Sequence, residues 1–343
     1  MSKKTNPTKP CINIPTPESS FAKSVEKLID PINVGTIHFI QQLNQLFPKK
    51  IQKALMNSSS KKIPFMGFVV EPYSSFLCYE IRDTQKANEL LPDDFRLVRT
   101  SIFTDDEPKY YCIFGSFRAH TSAFWGARTE FYVIAEDKRT GLLSWVIIDY
   151  DTNTISYDSK RGLVSPNSDS IITINHRGNL FVDIQNKLNK RKLKYSFDVE
   201  KGRMNSLDQR LWLEGNLSVG YGKDLAIRND SVFSLKFEPC EVEKALEISR
   251  DDLVLESNTW LDGMLFEQPE KIVCFPYSQH FISDSPGASS KIKNEQELVE
   301  SIKAIDFANT KVLSVKYLKY MFIFGSLLSL ITTITLVTLY IFK

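Results

Sequence analysis

The chain has 343 residues, a formal net charge of +2, and 42% hydrophobic and 24% charged side chains. This is the composition of a globular protein with room for one large domain or two smaller ones. The near-balanced charge, with no stripe of cations alternating with aromatics, excludes a nucleic-acid binder that works through an overall positive field.

Residues 1–20 carry four prolines and many small polar residues. They bury too little apolar surface to offset chain entropy and are expected to form a disordered tail. No signal peptide is expected there, because no apolar stretch follows early enough. An amphipathic helical segment is expected over 21–62. Pro31 breaks it once, and Val34, Ile37, Ile40, Leu43 and Phe47 then recur at spacings of three or four. Pro48 ends or kinks that helix, and Ile51, Ala54 and Leu55 continue a second piece. Such an apolar face either covers a domain core or lies on a membrane.

From Met66 the pattern turns to β. Runs rich in aromatic and β-branched residues fall at 67–71, 76–81, 110–117, 130–135, 143–150, 171–175, 180–184 and 232–237. Asp137-Lys138-Arg139-Thr140-Gly141 and Asp151-Thr152-Asn153 join consecutive runs at hairpin length. One helix is expected at Thr84–Leu91, stopped by Pro92. The expected domain spans 63–284, mainly β with a few helices: a curved antiparallel sheet or cone-like barrel around a cavity. Lys187 to Lys194 holds five cations in eight residues. It reads as a solvated loop or hairpin, or as a contact for anionic lipid or nucleic acid. Residues 285–319 form a polar, then helical, stalk.

Residues 320–342 contain no charged side chain. At the helical rise, about 20 such residues cross a bilayer core. Lys311, Lys316 and Lys319 precede the run and only Lys343 follows it, which favours a cytoplasmic domain on a C-terminal membrane anchor. The threonines of the run can bond the helix backbone. The five cysteines, Cys11, Cys78, Cys112, Cys240 and Cys274, form no CxxC pair, and three sit in apolar runs. That favours a reducing compartment over a disulfide framework. Glycosylation triplets at Asn57, Asn216 and Asn229 matter only if the domain faces outward.

The segments FLCYEIRDTQKANELLPDDFRLV and FYVIAEDKRTGLLSWVIIDYDTNTISYDSKRGL read as strand, short helix, Leu-Pro, strand, and then as strand, charged turn, strand, acidic turn and a Tyr–Lys–Arg–Gly segment. Over residues 66–240 this resembles the acetoacetate decarboxylase-like superfamily. The resemblance implies a large curved antiparallel sheet closed around an interior cavity. It also implies a lysine that forms a Schiff base with a keto acid. Such a lysine must be partly neutral, which burial and a neighbouring cation achieve by lowering its pKa. The family pattern maps Tyr157-Asp158-Ser159-Lys160-Arg161-Gly162 onto that lysine element, with Lys160 as the amine and Arg161 as its neighbouring cation. The family's proline is missing, the register is off by one, and Asp158 would raise the lysine pKa. Pro72-Tyr73-Ser74-Ser75 stands where the family's catalytic arginine would be, and its catalytic glutamate has no placed counterpart.

Arg128 and Glu130, two apart in an expected strand, share one face. Facing a cavity they would orient a carboxylate or carbonyl; facing water they are an ordinary surface pair. Phe124-Trp125-Gly126 is a lid loop over such a cavity or simply core. The candidate ligand-binding residues are therefore Arg128, Glu130, Trp125 and Arg161. His38, His120, His176 and His280 have no metal-type spacing, and no nucleophile elbow, P-loop or dinucleotide fingerprint occurs, so no metal or cofactor is expected.

Three functions stay open: a membrane-anchored cavity domain binding a small carboxylate or a lipid-like ligand without decarboxylation, with membrane lipid as a partner; a Schiff-base lyase acting through Lys160; and a membrane-tethered interaction module.

Overall fold

The computed structural model of the protein describes residues 20–44, 46–51, 54, 65–122, 124–158, 162–225, 232–260, 263–284, 292–310 and 316–342. Two helices come first, α1 (Ser20–Lys27) and α2 (Pro31–Asn44). The break at Pro31 is also a start signal. Asp30 Oδ1 accepts from Ile32 N at 2.9 Å, and proline suits the first helical position because it has no N–H to satisfy.

The strands follow. β1 (Phe65–Val70), β2 (Ser74–Glu80), helix α3 (Thr84–Leu90) and β3 (Phe95–Leu97) lead into the long meander β4 (Tyr111–Thr121), β5 (Trp125–Asp137) and β6 (Leu143–Thr152). The short pair β7 (Ser156–Asp158) and β8 (Gly162–Val164) precedes β9 (Ser168–Ile174), β10 (Asn179–Asn186) and β11 (Lys192–Asp198). Then come β12 (Arg203–Ser206), a π-helical turn at Arg210–Glu214 running into α4 (Gly215–Leu217), β13 (Val219–Tyr221), β14 (Val232–Phe233) and β15 (Leu235–Lys236). β16 (Lys244–Ile248), β17 (Val254–Asn258), β18 (Lys271–Phe275) and β19 (Gln279–Asp284) complete the sheets, and α5 (Glu295–Lys303) and α6 (Lys316–Ile341) end the order.

Local signals explain much of this. Asp83 caps α3 by accepting from Gln85 N and Lys86 N, and Pro92 lies just past its end. Gly141, at φ +72°, supplies the left-handed residue that the β5–β6 turn needs. The cationic run 187–194 forms the β10–β11 hairpin, with Lys190 at φ +62°.

The large sheet has 13 strands, with a main path β12-β16-β18-β2-β4-β5-β6-β13-β14 and branches through β1, β3, β15 and β19. It is mixed, because β13 pairs parallel to β6. A second, antiparallel sheet, β17-β11-β10-β9, packs across one face. This corrects the expected all-antiparallel sheet and cone-like barrel: the large sheet is mixed, a second sheet packs on it, and no closed barrel forms among the described residues.

The physical reason lies in the meander. Its central residues are buried without alternation on both faces. Ile113, Ile134 and Ile147 join one core, while Cys112, Val133 and Val146 join the other. A sheet apolar on both faces needs cover on both. The second sheet covers one. The other is filled by side chains from Ile102, Trp212, Leu217, Leu235 and Leu298. Leu298, on α5, is fully buried, so the described part of the expected stalk packs against the body instead of standing away from it.

Among the described residues, one helix is long and apolar enough to cross a membrane, over Phe322–Ile341, and none of it is buried. The hydroxyls of Thr332, Thr333, Thr335 and Thr338 each donate to the carbonyl four residues earlier, at 2.8–2.9 Å, which hides their polarity from an apolar surrounding. Cys78, Cys112 and Cys274 are buried free thiols and Cys240 is exposed.

Candidate functional site

β5 lies between β4 and β6, with Phe117 opposite Arg128 on one side and Tyr150 opposite Glu130 on the other. The two-residue repeat turns Arg128, Glu130 and Tyr132 to the same face. That face is interior. The Arg128 and Glu130 side chains keep only 12% and 11% of their exposure. Arg128 Nε donates to Glu130 Oε1, and its Nη1 donates to Ser156 Oγ at 2.8 Å. Tyr132 Oη donates to Glu130 Oε2. The guanidinium sits 4.0 Å over the Tyr150 ring.

Burial opposes the Arg128 charge, but the Glu130 carboxylate beside it keeps its pKa above the ordinary value. Tyr132 is pushed well up, by burial and then by Glu130. Gly115 stands opposite Glu130, and a Cβ there would lie 2.8 Å from the Phe76 ring. Beyond Tyr132 the interior is closed by Phe76, Trp145, Trp212 and Phe275, whose rings meet at 5.1–6.1 Å.

Arg128 and Glu130 thus come together on the buried side of β5. Trp125 does not join them. It belongs to the strand itself, not to a lid loop, and alternation sets it on the opposite face, stacked on His120 at 4.6 Å. Lys160 and Arg161 lie outside the described residues. They fall between β7 and β8, which pair with Asp158 opposite Gly162. The base of that pair, Ser156, is the residue that accepts from Arg128.

Two buried clusters were missed from the sequence. Glu241, fully buried, accepts from His280 N at 2.6 Å and lies 2.8 Å from His280 Nδ1. His280 Nε2 lies 3.3 Å from Glu26 on α1. Burial raises the Glu241 carboxyl; for His280 burial works against the charge, but Glu241 and then Glu26 hold the imidazole above its usual value.

The second cluster joins the two sheets. Asn186 Nδ2 donates to Asp151 Oδ1 at 2.5 Å, Arg191 donates to Asp149 at 2.6 Å, and the Arg191 guanidinium covers Trp260 at 3.4 Å. Asp151 Oδ2, Arg191 Nε and Trp260 Nε1 meet no hydrogen-bond partner among the described residues. No local spacing signals either cluster, since each partner comes from a distant strand or helix.

Two surface clefts stand apart from Arg128. One of about 120 Å³ is lined by Glu71, Tyr73, Ser74 and Arg118, and one of about 480 Å³ by Arg82, Arg250, Phe266 and Glu270. Among the described residues, no group of three or more His, Cys, Asp or Glu is placed to hold a metal.

These features define a two-sheet, mainly β domain with a buried arginine–glutamate–tyrosine cluster, followed by an apolar helix of membrane-spanning length. At the level of fold the chain resembles acetoacetate decarboxylase. The crystal structure of that protein from Legionella pneumophila subsp. pneumophila str. Philadelphia 1 aligns with 65% of this chain and 86% of its own, at 13% identity and a TM-score of 0.38. No protein-family model matches the sequence, and no curated protein matches it.

Proposed function

We propose that this protein is a β domain anchored at a membrane by α6, and that it binds a small organic acid or a lipid-like ligand without decarboxylating it. The observation that supports this reading is the state of Arg128. Its Nε and Nη1 are committed to Glu130 and Ser156, while Nη2 meets no acceptor among the described residues. The side chain keeps 12% of its exposure. A buried guanidinium with a spare planar donor suits a carboxylate, phosphate or carbonyl oxygen. Lys311, Lys316 and Lys319 before the uncharged run 320–342, against Lys343 after it, support a cytoplasmic domain.

The test is calorimetric titration of the full chain in lipid nanodiscs with pyruvate and, separately, with oleate. Saturable binding of either that is lost in Arg128→Met supports the reading. Absence of saturable binding to both, or binding unchanged in Arg128→Met, overturns it.

A second reading, an interaction module, is favoured by the outer face of the second sheet. Ile171 on β9, Phe181 on β10 and Val254 on β17 are exposed there, with Phe181 and Val254 in one cross-strand row through Ser196 of β11. A protein crosslinked through this face in membranes, and lost on Phe181→Lys, would support it over ligand binding.

A further inference from the structure

α2 has two apolar faces and no charged residue anywhere in its length (PINVGTIHFIQQLN). One face docks on the body: Val34 is buried, Ile37 is half-buried, and His38 Nε2 lies 3.3 Å from Thr154 Oγ1. The opposite face is bare. Ile32 and Phe39, seven residues apart and therefore on one stripe, keep 68% and 47% of their exposure. Past the end of α2, Leu46, Phe47 and Ile51 are also exposed, with exposed Lys49 and Lys50 between them.

A helix facing water carries charged or polar side chains on its outer face; this one carries none that are charged. The structure also indicates what covers the face. The Phe39 ring meets Phe322 edge-on at 5.7 Å, and Phe322 is the first residue of the membrane-length segment. The bare face of α2 is thus level with the point where that helix would enter lipid.

We infer that α2 lies in the membrane interface, with Ile32, Phe39, Leu46 and Phe47 inserted among the lipid chains and Lys49 and Lys50 at the headgroups. The occupant of this face is the phospholipid bilayer that α6 crosses, so the inference rests on the anchored reading above and extends it. The physical basis is that apolar area removed from water stabilises an interfacial helix, and nearby cations add attraction to anionic headgroups. Anchor and helix together would hold the β domain in one orientation against the membrane, where α6 alone would leave it free to swing.

The test uses the full chain in nanodiscs made with phospholipid brominated near the headgroup end of its acyl chains. Tryptophan is placed at position 39 (Phe39→Trp), at position 32 (Ile32→Trp) and, as a reference for the anchor, at position 327 (Leu327→Trp). The emission of the four native tryptophans is subtracted using the parent chain. Interfacial burial predicts blue-shifted emission at positions 39 and 32, quenched roughly twofold or more by the shallow bromines. Quenching at 327 with none at 39 and 32 in folded protein overturns the inference and leaves the anchor standing. Blue-shifted but unquenched emission at 39 and 32 also overturns it, because a protein surface would then cover the face. No quenching at any of the three positions removes both.

Discussion

Replacing Asp151 by Asn raises the stability of the β domain at alkaline pH. Asp151 is fully buried on β6, with one carboxylate oxygen bonded to Asn186 and the other without a partner among the described residues. Burial pushes its carboxyl up from 3.8 to about 6, although Asn186 and Arg191 pull the other way. The folded protein therefore holds this proton more tightly than the unfolded chain does. The stabilising contribution is complete below pH 3.8 and is lost as pH rises through about 6. Two pKa units at about 1.4 kcal/mol each correspond to roughly 3 kcal/mol, and residual solvation sets a working range of about 1–3 kcal/mol. Asparagine keeps the shape and an acceptor for Asn186 but never ionises. Arg191 keeps Asp149, at 2.6 Å, as its carboxylate partner. Urea unfolding of the full chain in detergent, followed at pH 4 and pH 8, gives near-equal stabilities at pH 4 and an advantage of about 1–3 kcal/mol for Asp151→Asn at pH 8. An Asp151→Asn protein weaker than its parent at pH 8 would refute the reasoning. The carboxylate would then have a partner that outweighs its desolvation.

Glu130→Gln leaves the Arg128 charge buried beside a neutral amide and costs about 3–5 kcal/mol in the same unfolding assay, with part of the loss recovered in Arg128→Met/Glu130→Gln. An unchanged stability would mean that the pair is solvated. His280, whose folded-state value lies above the ordinary one, stabilises most fully below about pH 6.5 and loses that contribution as pH rises through its folded value. Amide exchange in α1, corrected for intrinsic rates, should therefore lose about 1–2 kcal/mol of protection toward alkaline pH in the parent and show no such trend in His280→Gln. A trend that persists in His280→Gln would sever Glu26–His280 from the docking of α1. Borohydride with pyruvate should leave Lys160 unmodified; a reduced adduct at Lys160, absent from Lys160→Ala, would reinstate the lyase reading.

The elements that local chemistry specifies were legible in the sequence. Asp83 and Pro92 bracket α3, Gly141 closes the β5–β6 turn, and the aromatic and β-branched runs mark the meander. The shared face of Arg128 and Glu130 follows from the two-residue repeat alone. That this face is interior does not, because Phe117, Tyr150 and Ser156 decide it from other strands. β16 was missed since its run, KALEI, mixes charged and apolar residues, and β18 since its apolar run, KIVCF, is short and opens on a lysine. Lys271 of β18 is satisfied across the sheet by Glu247 of β16 at 3.0 Å and by Asp106 at 2.7 Å, pairings that no local window contains. The uninterrupted apolar runs of β5 and β6 did hold the sign that both faces of the meander are covered, since strands with one face in water alternate and strands covered on both faces do not.

The proposed ligand site and the proposed lipid face are joined by a short path. Phe39 touches Phe322 at the start of the membrane-length helix. The next residue back, His38, reaches Thr154, and burial lowers its pKa. Two residues beyond Thr154, Ser156 accepts from Arg128. With α2 in the interface, the Arg128 cluster would stand one strand connection above the headgroups. A ligand with an acidic head and an apolar tail could then offer the head to Arg128 Nη2 and leave its tail in lipid, whereas a soluble acid gains nothing from that placement. Of the two probes, oleate should therefore bind the more tightly. Its advantage should shrink when Phe39→Asp lifts α2 from the bilayer, while Arg128→Met should abolish binding of both.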